Sequence, residues 1–258
     1  MLDFLFKNRR REALRAQPFP REWAEILTRN VPFVAHLSAD DRRELEGHIQ
    51  VFLAEKSFEG CGGLELSDEM RVTIAAQACL LLLHREADNY PTLDTVLVYP
   101  HAFRAKVTEQ REGGVVVEGG SARLGESWTR GVVVLAWDHV LSGASAMNDG
   151  HNVVFHEFAH QLDAEDGVME GAPVLAARSE YGAWARVLGE EYETLCAQVD
   201  RHRRQDLDPY GATSPAEFFA VVTEAFFEKP RALKAKHPEL YAELADFYRQ
   251  DPSTWGRA

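Results

Sequence analysis

The chain has 258 residues, 45% of them hydrophobic and 27% charged, with a net charge of −13. That length can bury one large core or two modest ones, with the balance of an ordinary globular protein. The acidic excess argues against a surface built for phosphate contact, which calls for basic patches, so no direct nucleic-acid partner is expected.

The opening run places its basic residues, Lys7 and Arg9 to Arg11, after a short apolar piece. A secretory signal has the opposite order and a longer apolar core, so a cytoplasmic location is expected and the start reads as a frayed, solvated terminus. Residues 20–56 read as helical, with Ser38 opening a helix that carries Leu45, Ile49, Phe52 and Leu53 at helical spacing. Phe58-Glu59-Gly60-Cys61-Gly62-Gly63 breaks that pattern. Glu65 stands where a dinucleotide-binding loop needs its third glycine, and the segment reads as a turn.

A second helix begins at Ser67 and runs through Ile74 to Leu83, apolar all round and so a buried core helix. Interrupted by Gln77, this run is far short of the roughly 20 residues of a membrane span. From Leu93 the texture changes. Thr95–Tyr99, Gly114–Val117 and Gly131–Trp137 are short β-branched runs between glycine-rich turns, which predicts a small sheet. A helix follows over about 149–164, with Asn148-Asp149 as its start signal and Gly167 as its stop. Further helices are expected over Ser179–Arg203, Pro215–Glu228 and Pro238–Arg249, with a turn at Asp208–Gly211. Strand-rich and helix-rich stretches are segregated, so the class is α+β. Cys61, Cys79 and Cys196 have neither disulfide-framework nor zinc-ribbon spacing, which suits a reducing compartment.

The chemistry concentrates at His156-Glu157-Phe158-Ala159-His160. Residues four apart on a helix share a face, so both imidazoles can hold one ion. Glu157 lies about 100° round the helix, beside the ion, where it can take a proton from water. Val154, Phe155, Phe158 and Leu162 occupy the opposite arc and predict a core-facing side. A catalytic zinc has three protein ligands and one open position, so a third ligand is needed. Asp166 is a poor candidate, because the sharp turn that would return it requires glycine at the position of Asp163. Asp163 shares the face of the histidines and either orients one of them through the ring nitrogen that does not bind metal or is an ordinary solvated aspartate near a helix end; spacing does not choose. Glu217, Glu224 and Glu228 fall on one face of a later helix. Ser214-Pro215-Ala216-Glu217 also satisfies a capping box, so Glu217 has a purely structural alternative. Spacing does not choose between Glu217 and Glu224.

Phe52-Leu53-Ala54-Glu55-Lys56, Phe58–Leu64, His156–Asp163 and Tyr210–Phe219 together resemble the Mlc titration factor A family, bacterial cytosolic zinc peptidases of the gluzincin type. The resemblance implies a helical N-terminal part over 20–66 and a zincin-like catalytic domain over 67–258, forming one compact unit. It implies one Zn2+ per chain, with His156 and His160 as ligands and Glu157 as general base. A tyrosine seven residues before the glutamate ligand selects Glu217 over Glu224 and gives Tyr210 the oxyanion. Glu224 and Asp163 are then supporting residues around the ligands. The family is also known for binding a glucose-responsive transcriptional repressor, so a protein partner is implied beside a peptide substrate.

Two functions compete at this point: a zinc peptidase, with endo- or aminopeptidase preference open, and a regulatory binding protein whose zinc is structural. Three strong ligand candidates, not four, favour catalysis. The strand over Val132–Trp137, just ahead of the metal helix, is the expected edge for an extended substrate.

Overall fold

The structure, a computed structural model, describes residues 2–85, 88–110, 116–123, 125–128, 131–145 and 148–255. Three helices come first: α1 (Leu2–Arg15), α2 (Arg21–Asn30) and α3 (Ala39–Glu55). Ser38 caps α3 by accepting the N–H of Asp41, as its sequence suggests. The basic start is not a frayed terminus. Arg11, only 7% exposed, bonds through its guanidinium to Glu55 on α3 at 2.6 Å and to Asp88. Neither carboxylate is close in sequence, so a local reading sees only a charge run.

The chain then enters β1 (Ser57–Gly60), crosses through α4 (Asp68–Leu80) and returns in β2 (Thr95–Tyr99), parallel to β1. Parallel neighbours need such a crossover, and α4 supplies it, buried from Val72 through Leu80. The segment expected as a turn is thus half strand; the turn is confined to Gly62 and Gly63, both at positive φ. β1 lacks a β-branched run because it sits at the sheet edge and is mostly exposed.

A separate antiparallel pair follows, β3 (Phe103–Gln110) with β4 (Val116–Arg123). Of the strand expected over 114–117, residues 114 and 115 lie outside the described residues, and Val116 opens β4. β5 (Gly125–Trp128) and β6 (Val132–Ala136) complete the main sheet, in the order β1-β2-β6-β5. This corrects the substrate-edge expectation: β6 is interior, between β2 and β5, and β5 is the antiparallel edge. Trp137 leaves the sheet to begin α5 (Trp137–Ser145).

The helix that carries His156 and His160 is α6 (Val153–Asp163), and its cap is Asn152, not Asn148 or Asp149. Gly150 at φ 80° turns the chain between the expected start and the real one. Past a short 3-10 turn, Gly167 in left-handed conformation ends the segment. Val154, Phe155, Phe158 and Leu162 are buried, as their spacing predicts, each contributing about 1.5–3 kcal/mol. Phe158 packs against Tyr90 and Phe52, with ring centroids 4.9 and 5.7 Å away.

The remainder is helical: α7 (Tyr181–Asp200), α8 (Pro215–Glu228), α9 (Pro230–Lys236) and α10 (Pro238–Tyr248). Pro230 both ends α8 and opens α9, a helix not expected from sequence. The fold is α+β. No helix among the described residues is long and apolar enough to cross a membrane.

Candidate metal centre

Two helices far apart in sequence meet here, with His156 and Glu217 61 residues apart. Ser214 caps α8 by accepting the N–H of Glu217 at 3.2 Å, and Pro215 occupies its first turn. The Glu217 carboxylate reaches both histidines of α6. Its Oε2 lies 3.0 Å from His156 Nε2 and 3.3 Å from His160 Nε2.

His156, His160 and Glu217 are the group of described residues whose ligand atoms cluster within 4.8 Å of one another. Ligands held at about 2.0–2.1 Å in a tetrahedral zinc site stand roughly 3.3 Å apart, so the two measured separations suit such an ion. Two imidazoles and one carboxylate also match the donor chemistry of a catalytic site. In the residue next to His156, the buried Glu157 Oε2 has no hydrogen-bond partner. The residues present therefore fit a metal.

The electrostatics follow from burial and pairing. Burial opposes a charge on His156, but the Glu217 and Glu224 carboxylates outweigh it and push its pKa up to about 10. Burial likewise works against the charge on Glu217, yet hydrogen bonds from His156 and His160 hold its carboxyl well below the usual carboxylate range. Glu157 has no such partner. Burial pushes its carboxyl up to about 8, against the pull of His156. A carboxyl that both holds and releases a proton near neutral pH suits proton transfer.

The other expected residues divide. Glu224 Oε1 lies 2.8 Å from His156 Nδ1, so it meets the ring nitrogen facing away from Glu217. Asp163 makes no direct contact of that kind. Its oxygens accept the N–H groups of Gly171 and Ala172, both at 2.8 Å, and fix the loop after α6. Gly171 stands where a Cβ would come within 2.4 Å of the Pro215 carbonyl, so this loop presses on the start of α8. Asp166 is exposed and accepts the Val168 N–H, away from the cluster. Tyr210 sits in a 3-10 turn, Pro209–Ala212, capped by Asp208. Its ring is 5.9 Å from that of His156, and it is 52% exposed. Sequence reasoning missed Asn152, whose N–H donates to Glu224 Oε2 at 2.5 Å. The signal was present: an asparagine directly before an apolar helical run is a cap.

The pattern describing the glucose-regulated metallo-peptidase M90 family matches residues 5–249. An uncharacterised protein of Synechocystis sp. is 46% identical over 244 residues, 94% of this chain and 89% of its own. Proteins named Mlc titration factor A from Yersinia pestis and Yersinia pseudotuberculosis are 32% identical over 234 residues, 90% of this chain and 85% of theirs. On its sequence, over nearly its whole length, the chain belongs to the glucose-regulated metallo-peptidase M90 family.

Proposed function

We infer that the chain is a zinc-dependent peptidase, with one Zn2+ held by His156, His160 and Glu217. The observation that carries this reading is the reach of one Glu217 oxygen to both imidazole Nε2 atoms, at 3.0 and 3.3 Å. A bound zinc supplies Lewis acidity, drawing charge from a carbonyl oxygen and acidifying water. The protein supplies the rest. Glu157 takes a proton from the attacking water and returns it to the leaving amine. Tyr210, exposed and next to His156, donates its phenolic hydrogen bond to the oxyanion as it forms. β5, the edge strand beside β6 among the described residues, is where an extended peptide pairs with the sheet.

Three candidate ligands among the described residues leave a fourth position for water, which favours a catalytic over a structural ion. Three free cysteines accord with a reducing cytoplasm. The Yersinia relatives carry the name Mlc titration factor A, and we extend a repressor-type protein partner to this chain on that likeness.

Glu157→Gln tests the reading. Zinc content should stay at one per chain while hydrolysis of chromogenic peptides falls at least about a hundredfold. Near-full turnover in the zinc-loaded variant would remove Glu157 from the chemistry. In the parent protein a chelator should abolish hydrolysis and added zinc should restore it.

A further inference from the structure

One side chain ties the start of α6 to two neighbouring helices. Asn152 Oδ1 accepts the N–H groups of Val154 and Phe155, each at 3.1 Å, and its carbonyl accepts that of His156 at 3.0 Å. Its own N–H donates to Glu224 Oε2, whose other oxygen meets His156 Nδ1. Its amide Nδ2 donates to Gln77 Oε1 on α4 at 2.9 Å and to Glu228 Oε1 on α8 at 3.2 Å. Two amide hydrogens and two oxygen lone pairs are all an asparagine side chain offers, and all are engaged. Asn152, Gln77, Glu224 and Glu228 are buried, and the lack of a side chain on Gly143 of α5 admits the asparagine backbone, since a Cβ there would stand 3.1 Å from its Cα.

Helix capping accounts for Oδ1 alone, and serine or aspartate caps as well as asparagine. The amide hydrogens do something else: they reach off α6 to α4 and to α8, the helix that carries Glu217. We propose that Asn152 is a positioning residue that pins the start of α6 to α8. Glu217 and Glu224 then meet the two nitrogens of His156 before any metal arrives. Glu228 is the far end of the pin. It is 2% exposed and its second oxygen has no partner, a costly placement unless the first one serves a purpose. The inference rests on His156, His160 and Glu217 being the ligands.

Asn152→Ser keeps a capping oxygen and loses the amide, whereas Glu228→Leu removes the far end and leaves the cap intact. Zinc affinity of the full chain would be measured by competition with a chromophoric chelator. The His156 Nδ1–H resonance would be followed by NMR in the metal-stripped protein. Asn152→Ser should lose about 10- to 100-fold in zinc affinity, and the hydrogen-bonded resonance should broaden or vanish. Glu228→Leu should lose less, and the double variant no more than Asn152→Ser, because both act through one contact. Parent-like affinity and an intact resonance in Asn152→Ser would reduce Asn152 to a cap, and additive losses in the double variant would equally overturn the pin. If Asn152→Ser fails to fold, unchanged affinity and resonance in Glu228→Leu overturn it alone. Full zinc retention by His160→Ala would instead sink the ligand assignment, while the metal-free resonance still judges the pin.

Discussion

The two ends of α6 are held in opposite ways. At its start, His156 is gripped through both ring nitrogens, by Glu217 and by Glu224, and Asn152 locks the backbone to α4 and α8. At its end, His160 meets Glu217 through Nε2, but its Nδ1 is buried without a partner. The nearby carboxylate of Asp163 holds the following loop instead. Ligand histidines usually donate their second nitrogen to a neighbour that fixes the ring. Here that support is concentrated on His156, so on the proposed ligand set the site has a preset half and a half that a bound metal would complete.

The most severe way to break this asymmetry is Glu217→Ala, which removes the oxygen shared by both halves. Zinc should fall below detection after dialysis, measured as metal per chain, whereas Glu224→Ala should retain a weakly bound ion. The reverse order would mean that the two glutamates have been exchanged. Next in size comes a direct contrast of the ends. Glu224→Ala should cost about 10- to 100-fold in zinc affinity. Asp163→Ala should leave that affinity nearly unchanged while lowering Tm, because each N–H left without an acceptor costs about 1–3 kcal/mol. Equal zinc losses in the two variants would show that both ends are supported alike.

The smallest expected effect is a pH dependence at the His160 end. Glu165, in the turn after α6, has its carboxyl pushed up by burial to about 7 from its usual 4.5, with Arg85 pulling it the other way. The native chain then holds a proton that the unfolded chain has lost. This contribution to stability is full below about 4.5 and declines as pH rises through about 7. Denaturation midpoints between pH 5 and 8 should fall for the parent and stay flatter for Glu165→Gln. Parallel slopes would mean that Glu165 titrates normally.

The sequence carried the helical part of this design well, because helical spacing is local information. The spacing of His156 and His160, the apolar arc led by Phe155 and Phe158, and the Ser214-Pro215 start of α8 all read directly from neighbouring residues. Contacts between elements did not. Helical periodicity alone could not decide whether Glu217 caps its own helix or reaches an imidazole 61 residues away; the likeness to a known family made that choice. β1 was missed because one ladder and a mostly exposed surface leave no alternation to detect. Substrate docking was assigned to β6 because order in the chain stood in for order in the sheet, whereas β5 folds back to take the edge. Asn152 went unseen as a cap because Asn148 and Asp149 offer the same chemistry a few residues early.

Arg11 neutralises Glu55 and Asp88 from a helix otherwise exposed on much of its surface. Through this residue α1 is tied to α3 and to the segment carrying Asp88. Trimming α1 would remove the guanidinium that pairs with Glu55 and Asp88 and uncover the part of α3 that this helix packs on. A version shortened through Arg11 to aid crystallisation or expression should accordingly be less robust than its parent.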